Sequence, residues 1–296
     1  MDINYELYKV FYQVASSLSF SEASKKLFIS QSAVSQSIKT LEKKLGQLLF
    51  IRSTKKVKLS PAGEMLLKHI EPAIHLIQRG ESQLLDAECL GQLHIGASDT
   101  ICRYFLVPYL KQFHETFPSV PIKVTNATSL KCVELIEQGK VDLIVTNYPN
   151  SRMEDASLYK TTASFQDVFI ANPAYFPLEQ KELSLEELNQ YPILMLDKKS
   201  TTSEFLYRLF LQHQLELRPE IELSSNDFLI DLAKIGIGIA FIPDYCLTEH
   251  TADLKPLHVR EEMPKRQLVA AVNPSLPISP SAREFLALLP SVEETL

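Results

Sequence analysis

Nowhere in these 296 residues do about 18 apolar residues run together, so no segment reads as a membrane-spanning helix. The opening MDINYELYKVFYQVASS carries Asp2 and Glu6 and lacks an unbroken apolar stretch, unlike a signal or transit peptide. Cysteine is scarce. Cys89, Cys102, Cys132 and Cys246 lie far apart with no CxxC, which fits reduced thiols better than a disulfide framework or a zinc site and leads us to expect a cytoplasmic protein. Catalytic signatures are missing too. The seven histidines form no HExxH, GxSxG does not occur, and Gly236-Ile237-Gly238 within DLAKIGIGIAFIP lacks the third glycine of a dinucleotide fingerprint. That GxG fits a tight helix-to-strand turn. No metal, no cofactor and no enzyme activity are expected.

What is present is divided by charge. The net charge is -6, yet residues 1–60 hold ten Lys or Arg against four Asp or Glu, a local net of +6, and the other 236 residues carry a net of -12. A basic segment on an acidic chain suggests a polyanion-binding module joined to something else. The composition, 45% hydrophobic and 22% charged, is that of a globular chain with room for two or three domains.

The basic segment has a helical layout. Leu7, Val10, Phe11 and Val14 follow i, i+3, i+4, i+7 spacing, predicting a helix over about 4–16. Ser19 or Ser21 caps a short second helix over 21–28 with Ala23 and Leu27 inward, and Ile29 is expected to pack in the turn. Ser30 then caps a third helix, in which Val34, Ile38, Leu41 and Leu45 form one stripe and Gly46 the stop. The stripe fixes the opposite face, so Gln31, Ser32, Ser35, Gln36 and Lys39 must point outward. The N-terminal residues of the second helix of a helix-turn-helix meet base edges, where Gln can pair with adenine and Ser donates or accepts. LLFIRSTKKVKLS (48–60) alternates like a strand pair and puts Arg52, Lys55, Lys56 and Lys58 in one hairpin, a basic wing suited to phosphates.

Phe11, Ser19-Phe20, Ala23, Leu27, Ser30-Gln31-Ser32-Ala33-Val34-Ser35, Ile38, Leu41-Glu42, Leu45-Gly46, Leu49-Phe50, Arg52, Leu59-Ser60 and Ala62-Gly63 together resemble the winged helix-turn-helix of LysR-type transcriptional regulators. Ser24 stands where that family commonly has a second Ala, and Ser60 where it commonly has Thr. The resemblance implies that Gln31, Ser32, Ser35 and Gln36 face bases while Arg52 and the wing lie near the backbone. It also implies an all-α winged helix-turn-helix followed by an α/β bilobal effector domain similar to type 2 periplasmic binding proteins.

Ser60-Pro61 is a helix start, and from there to about 88 Leu66, Ile70, Ile74, Ile77 and Leu84 share a stripe interrupted by Pro72 and Gly80. The stripe packs on its own domain or on a second copy; the resemblance implies a dimerising linker helix, hence a homodimer or homotetramer. After Gly91, apolar runs (QLHIGA, PIKVTN, VDLIVTN) alternate with helical segments near 101–117 and 129–138, a βαβ rhythm predicting mostly parallel sheets. The expected layout is a DNA-binding domain over 1–60, a linker helix over 61–90 and an effector domain over 91–296. Within the last, one lobe takes about 91–161 with 266–296 and the other about 162–265.

Three loops would face a cleft between lobes. Ser98-Asp99-Thr100 follows the first strand, Thr125-Asn126-Ala127-Thr128 the second, and Ser200-Thr201-Thr202 opens a helix. Hydroxyls and amides at helix starts suit a carboxylate or similar anion, and N-capping alone explains any one of them. The resemblance places effector contacts at Ser98, Thr100, Thr128 and Thr202, with Thr146 and Thr201 as further candidates. Asp99, if inward, would repel an anion and favour an amine-bearing or neutral effector. Cys102 opens a helix, where a lowered thiol pKa would suit a redox sensor and burial would suit a packing thiol. The expected function is a regulator that binds promoter DNA, answers to a small-molecule effector and contacts RNA polymerase; a solute-binding protein of the same fold is the other reading.

Overall fold

The computed structural model describes residues 3–52, 57–85, 90–153 and 159–292. The chain divides into two compact units, Met1–Ala87 with Gln138–Lys140, and Glu88–Glu137 with Val141–Leu296.

The first unit opens with three helices, α1 (Tyr5–Ser17), α2 (Phe20–Leu27) and α3 (Gln31–Leu45), each started by a side-chain cap from Asn4, Ser19 and Ser30. Val10, Phe11, Val14, Ala23, Val34, Ile38 and Leu41 meet in one core, closed by Leu49 and Phe50 of the following hairpin. That hairpin pairs β1 (Phe50–Arg52) antiparallel with β2 (Val57–Leu59). Ile29 departs from expectation. It is 40% exposed, because Phe28 adopts a left-handed φ of 55° that ends α2 and turns both side chains outward. Helix α4 (Pro61–Leu85) packs Ala62, Leu66, Leu67 and Ile70 on the same core, so the first half of the linker stripe is spent on its own head, while Ile77 stays exposed. Pro72 sits inside this helix. Gly63 is needed there, since a Cβ would lie 2.1 Å from the Leu49 carbonyl oxygen.

The second unit begins with β3 (Leu93–Ala97) and a helical run made of α5 (Asp99–Ile101), a π turn (Cys102–Leu106) and α6 (Val107–Thr116). Then come β4 (Ile122–Asn126), α7 (Ser129–Glu137), β5 (Leu143–Tyr148), β6 (Tyr159–Phe165) and β7 (Asp167–Ala171). They are followed by β8 (Glu182–Leu183), α8 (Leu185–Leu188), β9 (Ile193–Leu196), α9 (Thr201–Gln212), β10 (Pro219–Leu223), α10 (Asn226–Lys234) and β11 (Ile239–Pro243). The chain closes with β12 (Lys255–Pro256), β13 (His258–Val259), β14 (Arg266–Ala271) and α11 (Pro280–Leu288).

Two five-stranded sheets result, in the orders β4-β3-β5-β14-β6 and β10-β9-β11-β7-β12. Neither is mostly parallel. Each has two parallel pairings and two antiparallel ones, the antiparallel pair made by a single reversed strand, β14 in the first sheet and β7 in the second, that runs against both its neighbours. The first sheet also runs on through Phe165, beyond the switch expected near residue 161. Separate cores cover each sheet, with Ile95, Phe113, Leu143 and Phe285 in the first and Phe169, Ile193, Phe210 and Phe241 in the second. Gly236, at φ 78°, makes the turn from α10 into β11 that the isolated GxG suggested.

In each sheet the chain leaves one strand and places the next two on opposite sides of it. β3 lies between β4 and β5, and β9 between β10 and β11. Such a switch point opens a crevice at the strand's carboxyl end, where α/β folds hold ligands.

Candidate functional site

On α3, the Ser30 Oγ accepts from the Ala33 amide at 3.1 Å and Gly46 ends the helix at φ 68°. Val34, Ile38 and Leu41 are fully buried, which leaves Gln31, Ser32, Gln36 and Lys39 exposed and Ser35 half-buried. The Ser32 hydroxyl lies 2.9 Å from that of Ser30, so one of the four candidates is partly held at the cap. Behind the helix, Glu42 Oε1 accepts from the amides of Leu49 (2.9 Å) and Phe50 (3.3 Å), tying the recognition helix to the start of the hairpin. Lys58 is exposed on that hairpin; Lys55, Lys56 and the Arg52 side chain lie outside the described residues. Lys25 and Lys26, in the last turn of α2, are exposed and add to the positive charge of this unit.

In the second unit a cavity of about 410 Å³ sits at the two switch points. Ser98 and Thr100 line it after β3, Thr128 and Ser129 after β4, and Ser200, Thr201 and Thr202 at the start of α9. Thr146 is not brought to it; fully buried, its Oγ1 meets the Ser129 carbonyl at 3.4 Å and the Asn150 amide at 3.3 Å. The cap hydroxyls already have work. Ser98, Thr128 and Ser200 accept from the amides of Ile101, Lys131 and Thr202 at 3.3, 3.3 and 3.1 Å, and the Thr202 Oγ1 accepts from the buried Arg266 guanidinium at 3.3 Å. What the helix starts still present to the cavity is backbone amides and their dipole.

Sequence reasoning missed a fourth wall. Ser224, Ser225 and Asn226 line the cavity, Ser225 capping α10 by accepting from the Phe228 amide at 3.4 Å. The same Ser-before-helix signal used at Ser200 was available there. Asn126, in the loop expected to face the cleft, lines it as well; Asn147, Asp197 and Tyr245 complete much of the lining, and no sequence pattern marks them. Two amides cross the cleft: Asn226 Nδ2 donates to Thr100 Oγ1 at 2.9 Å and Asn147 Nδ2 to Thr201 Oγ1 at 3.4 Å. Their carbonyl oxygens are buried and unpartnered, as is the Tyr245 hydroxyl.

Cys89 lies outside the described residues, and the other three thiols are poorly suited to redox sensing. Burial, and then the Asp99 carboxylate, push Cys102 up to about 11; burial pushes Cys132 up to about 12 and raises Cys246 further. A thiol with a pKa near 11 is roughly 10⁻³ or less ionised at neutral pH, and the thiolate is the nucleophile. We therefore expect iodoacetamide to label native Cys102 at pH 7.5 more than about 100-fold more slowly than it labels free cysteine. The rate should climb with pH toward 11, and mass spectrometry of pulse-labelled native and urea-unfolded protein measures the ratio. Among the described residues no cluster of metal-ligating side chains occurs, and no helix is long and apolar enough to cross a membrane.

A capped recognition helix with a basic hairpin in one unit, and a hydroxyl-lined cleft between two α/β sheets in the other, define a ligand-responsive DNA-binding protein. Residues 5–64 match the model of the bacterial regulatory helix-turn-helix protein, lysR family, and residues 88–293 the LysR substrate binding domain. The chain belongs to the LysR family of transcriptional regulators. It is 31% identical over 241 residues to the HTH-type transcriptional regulator AlsR of Bacillus subtilis, covering 79% of this chain and 78% of that protein. Among solved structures it is similar to a full-length OxyR variant of Pseudomonas aeruginosa (TM-score 0.70, 21% identity, all of both chains). It is also similar to full-length CbnR in complex with its target DNA (TM-score 0.65, 17% identity, 97% of this chain and 99% of that one). The helix-turn-helix match favours the regulator over the solute-binding reading.

Proposed function

We propose that this regulator acts in the cytoplasm, binds promoter DNA as a homodimer or dimer of dimers, and changes its grip on DNA or RNA polymerase when an effector occupies the cleft. Gln31, Ser32, Ser35 and Gln36 read base edges; Lys39, Arg52, Lys55 and Lys56 hold phosphates. Ser98, Thr100, Thr128, Thr201 and Thr202 frame the effector, and helix-start amides take its anionic group, such as a carboxylate. Thr146 supports Ser129 from behind. The observation that carries this reading is the face of α3: a buried Val34, Ile38 and Leu41 stripe forces uncharged Gln31, Ser32 and Gln36 outward on a segment of net +6. A surface built for solubility alone would use Glu and Lys. Fluorescence anisotropy on DNA from the promoter region of the regulator's own gene tests it. With about six phosphates neutralised per dimer, affinity should fall roughly 10³-fold between 50 and 200 mM salt. Affinity indifferent to salt, or equal for unrelated DNA, would count against it.

A further inference from the structure

The charge around the cleft does not suit a simple anion. Asp99 and Asp197 both line it, and no Lys or Arg does among the described residues. Asp99 Oδ1 accepts from Asn126 Nδ2 at 3.2 Å and Asp197 Oδ1 from the Lys199 amide at 2.9 Å, so neither carboxylate is neutralised by a cation. Against them stand the starts of α7, α9 and α10, each of eight residues or more and each equivalent to about +0.5 charge. Together they supply about +1.5 against a formal -2. A dicarboxylate would gain little here, and a bare cation would meet three positive helix ends. The buried Asn147 and Asn226 Oδ1 atoms, 7% and 3% exposed as residues and without partners, add acceptors that want a donor. A ligand that supplies donors to such unmet atoms recovers part of the free energy of their desolvation.

Resting on the effector reading above, we propose that the effector is a small zwitterion: a carboxylate seated on the amides that open α7 and α9, and an ammonium group seated against Asp99 and Asn226 Oδ1. The two ends are separable in the structure. Ser129 Oγ meets the Asn147 amide at 3.4 Å and Thr201 meets Asn147 Nδ2, which gathers the α7 and α9 starts around one pole. Thr100, next to Asp99, is bonded to Asn226 and gathers the other. The neighbouring Asp227 cannot compete for the ammonium, being spent on Tyr104 Oη (2.6 Å) and Arg103 Nε (3.5 Å). A volume of about 410 Å³ admits an amino acid or a short derivative.

The test is a thermal-shift screen of the full chain, followed by calorimetric titration. Its probes are the twenty protein amino acids, each beside the 2-hydroxy and 2-oxo acid with the same side chain. At least one amino acid should raise Tm and bind about tenfold or more tighter than its hydroxy and oxo counterparts. Asp99→Asn, an exposed position whose change spares the core, should erase that preference while leaving hydroxy-acid binding unchanged or improved. Hydroxy or oxo acids binding better than every amino acid, or a preference unmoved by Asp99→Asn, would overturn the zwitterion and leave a cleft effector standing. A Tm that no compound of the three classes moves overturns the zwitterion too, and leaves the cleft effector to be sought outside these carboxylic acids.

Discussion

Arg266→Met is expected to destabilise the effector domain by about 3–5 kcal/mol, the usual cost of stripping one partner from a buried ion pair. Arg266 opens β14 and Asp167 opens β7, so the pair spans the two places where the chain passes between sheets. Both side chains are essentially buried, with Nη1 to Oδ2 at 2.5 Å. The guanidinium is sandwiched between Phe165 and Phe205 at 5.3 and 5.4 Å from their ring centres. Gln166 Nε2 donates to the Met263 carbonyl and ties the same two crossings. Removing the guanidinium leaves the carboxylate with little but the hydroxyl of Thr202, a residue that also lines the cavity. Calorimetry should show Tm falling by roughly 10 °C.

The pH dependence of that loss has a definite sign. Burial raises the Asp167 carboxyl even with Arg266 present, and in the variant the opposing cation is gone. A carboxyl whose folded pKa lies above its unfolded value costs stability as pH rises through the interval between them. The deficit of Arg266→Met should therefore be smallest in acid, where the carboxyl is protonated in both states, and grow as pH rises above the ordinary carboxylate value. Adding Asp167→Leu should recover much of it at all pH, since an apolar pair of similar volume needs no desolvation of charge. A variant with unchanged Tm at pH 7.5, or one whose deficit shrinks as pH rises, would show that the pair carries no such strain.

This pair marks where sequence reasoning stopped. Asp167 and Arg266 are 99 residues apart, follow no local spacing, and look like any two charges on an acidic domain. The head was legible for the opposite reason. Ser30, the Val34-Ile38-Leu41 stripe and Gly46 are within one helix, and cap, period and stop each follow from local backbone physics. Cleft prediction fell between these extremes. Ser98, Thr128 and Ser200 were visible as helix caps, but Asn147 and Tyr245 reach the cavity from the end of β5 and from the segment after β11, which only the tertiary fold brings together. Thr146 illustrates the ambiguity of strands: side chains alternate, and at the end of β5 it is Asn147 that faces the cavity while Thr146 faces inward. Strand direction misled for a topological reason. The βαβ rhythm of residues 91–148 is real, but β14 returns from a distant point in the chain and pairs antiparallel with both β5 and β6.

On the proposed reading of α3, the double change Ser35→Ala, Gln36→Ala is expected to weaken operator binding about 10–100-fold and to flatten discrimination between operator and unrelated DNA. Each well-made contact to a base edge is worth about 1–3 kcal/mol of discrimination, and about 1.4 kcal/mol is a factor of ten. Gln36 is exposed opposite the docked stripe and Ser35 half-buried on its flank, and neither belongs to the Val34, Ile38 and Leu41 core, so their truncation is expected to leave the fold in place. Circular dichroism checks that point. Lys39→Ala should behave differently: on the same face but charged, it holds phosphate, so its loss should weaken binding to every sequence alike and reduce the slope of log K against log salt by about one. The two outcomes separate reading from gripping. Full operator specificity surviving the Ser35 and Gln36 double change would mean that the base-reading residues lie elsewhere, and a Lys39→Ala variant that loses specificity but keeps its salt slope would reverse the roles assigned along this helix.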